Sequence, residues 1–362
     1  MTNTMTAAAS DARRVGQLWE AVSAGDERAA TDVLFDALGD GMPAEKVLLD
    51  LIAPVQRTVG EEWAANRMSV TQEHAATAIN DRAIAALSHQ WSAHVPAGRG
   101  RMTVACTDGE WHGLPARLLA EVCKLRGWTV DYLGAQVPTH HLIAHIHQTG
   151  PDVVALSCSI ATRLPTAHAA ITAVQATGTP VLVGGAAFGA HGQYARRLGA
   201  DAWAPDARSA ADRLDQETLP RPAAAHQPID DLPHLSDQEY TMVTRTRTEL
   251  VRATMGTLEE RFPAMRDYTP AQRAHTAEDL AHIVDFLAAA LYIDDPQLFT
   301  DFLGWTAGIL TARRVPAHSL IPALEILGEE LRDFPRSLQL IQRATDHLTG
   351  TGPVTATDRT TA

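Results

Sequence analysis

A carboxylate and a histidine stand two residues apart in the segment DGEWH, at Glu110 and His112. A carboxylate at this spacing can accept a hydrogen bond from one imidazole nitrogen, which fixes the ring tautomer and makes the other nitrogen a better metal ligand. The pair therefore indicates a metal-binding histidine. Histidines in such loops are also common as surface or capping residues, so the surrounding elements must distinguish the two interpretations.

Two further motifs follow apolar segments later in the chain. Ser157 and Ser159 come at the end of DVVALSCS, and Gly184 and Gly185 come at the end of PVLVGG. Hydroxyl groups can line a pocket for a long polar group, and paired glycines let such a group lie against the backbone. A tight turn is the alternative explanation for the two glycines.

The elements that position these residues are short apolar strands that alternate with amphipathic helices over residues 101–205. The strands are expected in the segments MTVAC, WTVDYLG, DVVALSCS, PVLVGG and ADAWA. This alternation predicts a Rossmann-like, doubly wound parallel sheet that is buried on both faces. Because such sheets bind ligands at the carboxyl ends of their strands, the three motifs should meet at one edge.

Helical segments lie on both sides of this α/β region. Residues 13–94 have a helical period and predict a four-helix bundle, and residues 239–349 predict an all-α domain whose segments are separated by prolines. The proline-bearing residues 206–238 predict a linker, and residues 350–362 a disordered tail. The predicted fold class is therefore multidomain, with α and α/β parts.

The composition argues against several classes of protein. No apolar run approaches the roughly 18 residues that span a bilayer, and the first residues lack the features of a signal peptide, so a cytoplasmic protein without a membrane partner is expected. A formal net charge of −13 opposes binding to nucleic acid. The three cysteines, Cys106, Cys123 and Cys158, lack metal-ligand spacing and are expected to be reduced thiols in the core. No catalytic constellation stands out, which indicates a protein that is not an enzyme.

Residues 101–205 resemble the cobalamin-binding domain of methionine synthase and the mutases, in which an Asp-x-His-x-x-Gly loop supplies the lower axial histidine of cobalt. The resemblance implies that His112 is that ligand, with Glu110 in place of the commoner aspartate. Pro115 stands where the glycine of the motif is expected, and Gly113 comes two positions early. The residues that the resemblance assigns to the cofactor are Asp108, Glu110, Gly113, Ser157, Ser159, Gly184 and Gly185.

The preceding bundle resembles the cap over cobalamin in methyl carriers and cobalamin photoreceptors. Trp63, Val70, Glu73 and His74 match the spacing W-x6-V-x2-EH, with which the photoreceptors enclose a 5′-deoxyadenosyl group. The resemblance implies adenosylcobalamin as cofactor; the alternative is a core tryptophan followed by an ordinary helix start. Light-sensing repressors of this family have a cobalt-binding histidine where this chain has Ala64. They also carry a helix-turn-helix module before the bundle, so this chain is expected not to bind DNA.

The helical segments after residue 238 resemble the globin-like sensor domain of some bacterial cobalamin proteins, and the whole architecture resembles the photocobilins, which hold biliverdin in that domain. The resemblance implies a bilin site, for which the candidates are Tyr268, His275, His282 and Trp305. The alternative is that the aromatic side chains are simply core. Because residues 206–362 contain no cysteine, a bilin in this domain would not be bound to it by a thioether.

The resemblance favours a light sensor in which photolysis of the cobalt–carbon bond changes conformation or oligomeric state. A homo-oligomer with a light-dependent state is expected, with a separate effector protein as a further partner. Two other hypotheses remain open. One is a corrinoid carrier protein of a methyltransferase system, and the other is a haem or oxygen sensor in which His275 or His282 binds iron.

Overall fold

The computed structural model describes residues 2–91, 98–222, 232–261 and 263–350. The chain divides into two compact units, residues 1–231 and residues 232–362. The predicted tail, apart from Gly350, lies outside the described residues.

The first unit begins with a helical bundle, as the sequence predicts. Its elements are α1 (Thr2–Ser23), α2 (Glu27–Gly39), α3 (Ala44–Lys46), a π-helical turn (Val47–Ile52), α4 (Ala53–Ala64) and α5 (Val70–Trp91). Apolar side chains that recur at helical spacing, such as Leu34, Leu48 and Ile84, are fully buried. The Asp26 carboxylate caps α2 by accepting a hydrogen bond from the Ala29 amide.

A five-stranded parallel sheet follows the bundle and confirms the predicted α/β fold. The strands are β1 (Arg101–Cys106), β2 (Thr129–Gly134), β3 (Val153–Ser157), β4 (Val181–Gly184) and β5 (Ala202–Ala204), in the order β2-β1-β3-β4-β5. Cys106 pairs with Ser157, and Ser157 pairs with Gly184, so β1, β3 and β4 end level with one another. In this strand order the chain changes direction between β1 and β3, where ligands of open α/β sheets bind.

The helices of the α/β domain cover both faces of the sheet. They are α6 (Gly113–Leu125), α7 (Thr139–Thr149), α8 (Leu164–Gln175), α9 (Gln193–Arg197) and α10 (Ala207–Gln216). Helix α6 contacts α10, and α7 contacts α8.

The sequence prediction of a linker over residues 206–238 is wrong for α10. Asp206 caps this helix through the Ser209 amide, and Ala211 and Leu214 are buried, because the prolines of that segment begin only after the helix has ended.

The bundle is attached to the α6 and α10 side of the α/β domain. Its apolar core is continuous with that of the sheet and α6. Arg126, at the end of α6, forms ion pairs with Glu45 of the bundle and with Asp212 of α10, at 2.7 and 2.6 Å. Arg208 of α10 pairs with Asp50 of the π-helical turn at 2.6 Å. Apolar packing and charge pairing therefore fix the bundle along the same face.

The second unit is helical, in agreement with the predicted all-α domain. It contains α11 (Glu239–Arg245), α12 (Arg247–Arg261), α13 (Pro270–Ile293), α14 (Pro296–Ala312), α15 (Leu320–Glu330) and α16 (Pro335–Gly350). Prolines open three of these helices, where a missing backbone N–H costs nothing. The buried Glu239 carboxylate accepts hydrogen bonds from the Arg336 and Ser337 amides at the start of α16. Within the described ranges, no helix has both the length and the apolarity needed to cross a membrane.

Candidate cofactor site

The loop between β1 and α6 is organised around the buried carboxylate of Glu110, which is 1% exposed. Its Oε1 accepts a hydrogen bond from the His112 amide at 2.8 Å and lies 2.6 Å from His112 Nδ1. Its Oε2 accepts hydrogen bonds from the amides of Ser159 and Ile160, at 2.6 and 3.1 Å. One side chain thus binds four N–H groups and joins the loops that follow β1 and β3.

The backbone of Glu110 extends this connection to the loop after β2. Its carbonyl oxygen accepts a hydrogen bond from the Gln136 amide at 3.0 Å, and its own amide donates to the Thr107 carbonyl at 3.0 Å. The loops that follow β1, β2 and β3 are therefore all bound to a single residue.

The His112 ring is oriented by this carboxylate and remains accessible, with 55% of its side chain exposed. The hydrogen bond that the ring donates to Glu110 is the largest influence and raises the pKa of His112, as do the charges of Glu110 and Glu73, against the opposing effect of burial. Burial raises the pKa of Glu110, but hydrogen bonds from His112 and Ser159 outweigh it and leave that pKa at about 2. Glu110 is therefore ionised near neutral pH and holds Nδ1 as a donor, which leaves Nε2 free to bind a metal ion.

A groove runs from this edge between the sheet and α6. It is lined by Ser157, Gly184 and Gly185 together with apolar residues of the sheet, α6 and α10. Gly185 has a φ of +104°, and a Cβ there would collide with the carbonyl oxygen of Cys158. The paired glycines thus form a wall that a narrow ligand group can approach closely.

The other residues that the sequence predicts at this edge have different contacts and exposures. Ser159 contributes its backbone amide to Glu110 rather than a hydroxyl to a pocket. Asp108 is exposed and, among the described residues, makes no hydrogen bond or ion pair. Gly113 begins α6, and its carbonyl oxygen accepts a hydrogen bond from the Tyr132 hydroxyl at 3.1 Å. Pro115 lies in the first turn of α6 and lines the groove.

Tyr132 is a residue of this site that sequence reasoning missed. Its hydroxyl fixes the first turn of α6, one residue after His112, and the Arg117 guanidinium lies 5.4 Å from the centre of its ring. The tyrosine stands in the segment WTVDYLG, but nothing in its spacing shows which helix it meets.

The bundle residues singled out by the sequence lie at the end of α4 and the start of α5. Trp63 is half-buried against the apolar core, and Val70 is 54% exposed. Glu73 Oε2 lies 2.6 Å from His74 Nδ1, and the His74 side chain is exposed. Helix α5 contacts α6, which begins one residue after His112.

The chemistry of these residues fits cobalamin. His112 Nε2 would hold the cobalt, the groove wall formed by Gly184 and Gly185 would receive the tail of the cofactor, and the start of α5 offers the polar pair of Glu73 and His74. Among the described residues, no three His, Cys, Asp or Glu side chains are grouped so as to hold a metal ion by themselves. The three cysteines are free and buried, and burial raises the pKa of each thiol to about 12, in agreement with the predicted core thiols.

The candidate bilin residues of the second unit lie mainly on α13 and α14. His275 and His282 are exposed on α13, as is the intervening Asp279, which lies within the electrostatic influence of both histidines and of Arg313. Tyr268, which precedes α13, is half-buried.

The same unit contains an aromatic row formed by Phe286, Phe302 and Trp305. The first two rings stack at 3.7 Å, and the Trp305 ring lies 6.4 Å from that of Phe302 and is 51% exposed. The unit thus combines an aromatic surface with imidazole and guanidinium groups, although the described contacts do not connect Tyr268 to them.

Comparison with known families gives two matches in the first unit. Residues 100–214 match a family model described as a B12 binding domain, and residues 15–88 match a second model with the same description. Two adjoining segments of this chain are therefore similar to B12-binding domains. The first match confirms the resemblance predicted from the histidine loop and includes α10.

Two curated relatives each match about half of the chain. The HTH-type transcriptional repressor CarH of Myxococcus xanthus is 31% identical over 202 residues, which are 53% of this chain and 65% of the repressor. The HTH-type transcriptional repressor CarA of the same organism is 32% identical over 188 residues, 51% of this chain and 62% of the repressor. The chain thus spans less than two thirds of the length of either relative.

Among solved structures, the monomethylamine corrinoid protein of Methanosarcina barkeri has a TM-score of 0.50 with this chain and is 18% identical to it. The likeness covers 55% of this chain and 96% of that protein. At this identity it shows a shared fold and carries no information about activity.

We expect Glu110→Gln to lower the free energy of unfolding of the first unit by about 2–4 kcal/mol, because the buried N–H groups would then face an uncharged amide. Urea unfolding followed by tryptophan fluorescence measures this, since six of the seven tryptophans precede residue 232. Asp108→Asn is the matched control and should change the midpoint little. Equal stability of the two variants would contradict the central role of Glu110.

Proposed function

We propose that this protein is a cobalamin-dependent light sensor that is not an enzyme. The observation that carries the proposal is the His112 ring, which the buried Glu110 orients and which remains 55% exposed. The two B12-binding-domain matches and the likeness to the two repressors support it. Adenosylcobalamin, when bound, supplies a cobalt–carbon bond that blue or green light cleaves.

In this proposal the residues of the sheet edge hold the lower side of the cofactor. His112 Nε2 would hold the cobalt, and Glu110 would keep the ring in the tautomer that leaves this nitrogen unprotonated. Ser157, Gly184 and Gly185 enclose the tail of the cofactor in the groove beside α6. The four N–H groups on Glu110 keep the histidine in place when the ligand sphere changes.

The bundle residues enclose the upper side. Trp63 and Val70 would provide an apolar wall, and Glu73 and His74 would hydrogen-bond the ribose and base of the adenosyl group. Loss of that group would remove the ligand that α4 and α5 share. Because the bundle and α6 have a continuous core, a shift of α5 would alter its packing on the α/β domain and change conformation or oligomeric state.

Biliverdin is the second proposed chromophore, bound without a covalent link in a globin-like second unit. His275 and His282, with Tyr268 and Trp305, would contact the tetrapyrrole, and Arg313 would meet a propionate. The exposed indole of Trp305 and the clustered charges around Asp279 favour a ligand that is both apolar and anionic.

The output of the proposed sensor is an interaction between proteins. Both curated relatives are named as transcriptional repressors, whereas the net charge of −13 argues against a nucleic-acid partner for this chain. A homo-oligomer with a light-dependent state, acting on a separate effector protein in the cytoplasm, completes the proposal.

Absorption spectra of protein that has been mixed with adenosylcobalamin and biliverdin and then desalted test the whole proposal. We expect both chromophores to be retained in the dark and green light to change the cobalamin bands. Retention of cobalamin alone would contradict the bilin site, and retention of neither would contradict the proposed function. A Soret band after growth with haem would instead support a haem sensor.

We expect His112→Ala to lower the affinity for cobalamin at least about tenfold, because a metal ligand is lost. The remaining bound cofactor should lack the spectrum of histidine ligation. His147→Ala removes an exposed histidine from α7 and is the control. Wild-type spectra and affinity in His112→Ala would show that another group binds the cobalt.

We expect Trp63→Ala to reduce the preference for adenosylcobalamin over methylcobalamin about tenfold, since a methyl group needs no indole wall and roughly 1.4 kcal/mol of adenosyl binding would be lost. Binding titrations in the dark with both cobalamins measure this ratio. Trp305→Ala, in the other unit, should leave the ratio unchanged. If the wild type shows no preference at all, the hypothesis of a corrinoid carrier gains support.

A further inference from the structure

A chain of polar side chains runs from Glu73 into the interior of the bundle. The Thr77 hydroxyl donates a hydrogen bond to Glu73 Oε1 at 2.9 Å, and Gln56 Nε2 donates to the Thr77 hydroxyl at 2.7 Å. Asn80 Nδ2 in turn donates to Gln56 Oε1 at 2.8 Å. The chain thus connects α4 to α5 directly behind the pair formed by Glu73 and His74.

The direction of every hydrogen bond in this chain is fixed. A hydroxyl has one hydrogen, so Thr77 can donate to Glu73 only if it accepts from Gln56. That requirement turns the Gln56 amide nitrogen toward Thr77 and its oxygen toward Asn80. Glu73 is therefore held at both oxygens, with Oε1 bound by Thr77 and Oε2 beside His74.

Stability alone does not account for these polar residues. Asn80 is 0% exposed, and its Oδ1 has no hydrogen-bond partner among the described residues. Its neighbours on the same helix, Ala76, Ile79 and Ala83, are buried and apolar. An apolar side chain at this position would avoid the cost of an unpaired buried oxygen. The polar chain therefore favours a specific arrangement of Glu73 at the expense of bundle stability.

We propose that Thr77 and Gln56 are positioning residues that hold Glu73 in the orientation in which it binds the ribose hydroxyls of the adenosyl group. This inference rests on the proposed function. It assigns selectivity for the upper ligand to two side chains that act through Glu73, with Gln56 itself held by Asn80. The orienting effect ends at Glu73, so a cobalamin whose upper ligand has no ribose should not depend on it.

The test compares Thr77→Val, which removes the hydroxyl and keeps the shape, with Thr77→Ser, which restores the hydroxyl. We expect Thr77→Val to weaken adenosylcobalamin binding about tenfold in the dark and to leave the methylcobalamin dissociation constant within about twofold. Thr77→Ser should recover the wild-type ratio. Gln56→Leu breaks the same chain at another bond and should reproduce the selective loss.

Thr58→Val is the matched control, because Thr58 lies on α4 and its hydroxyl donates only to the Pro54 carbonyl. It should bind both cobalamins as the wild type does. Equal weakening of both cobalamins by Thr77→Val and Gln56→Leu, or an unchanged ratio in both, would overturn the positioning role. If the wild type retains no cobalamin, the proposed function fails and the inference fails with it; a wild-type preference that survives both variants overturns the inference alone.

Discussion

The Glu110 carboxylate is the interaction on which the arrangement of the sheet edge depends. The chain changes direction between β1 and β3, so the loops that follow these strands diverge and leave a gap. Glu110 spans that gap because its carboxylate accepts hydrogen bonds from both loops. The amides of Ser159 and Ile160 donate from one loop, and the amide and ring nitrogen of His112 donate from the other. Burying a charge is costly unless several donors surround it, and here four N–H groups do so. The orientation of His112 is therefore a property of the whole sheet edge rather than of one loop.

The bundle is held against the α/β domain on the α6 and α10 face of the sheet. Arg126 and Arg208 join the bundle to α6 and α10 through Glu45 and Asp50. Helix α5 also contacts α6, whose first residue follows His112. A change in what Glu73 binds would therefore reach the α6 interface along one continuous helix. Ion pairs on the side of α3 and α10 would resist complete separation, which favours a local repacking of the bundle over its release.

The sequence predicts the parts of this structure that depend on periodicity and misses those that depend on backbone groups. The sheet and the pair of Glu110 and His112 follow from alternation and spacing. The bonds from Glu110 to Ser159 and Ile160 join residues about fifty positions apart through amides, which every residue possesses and no sequence pattern marks. Helix α10 was assigned to a linker because the prolines after it dominate the segment. The polar chain behind Glu73 was missed because Gln56 and Thr77 on paired helices become neighbours only once the helices pack.

In the second unit, too, the sequence alone does not identify the residues that could bind a ligand. Aromatic residues of similar spacing divide between two environments: Phe299 is fully buried, whereas half of Trp305 is exposed at the end of the row formed with Phe286 and Phe302. Spacing alone does not separate a core ring from a ligand-binding ring, since both lie on helix faces that carry apolar residues. Exposure does separate them, since half of Trp305 remains open to solvent although Phe302 lies beside it. This indole lies on α14, which packs against the helix that carries the two exposed histidines, and it is the ring of the aromatic row that a ligand could reach most easily.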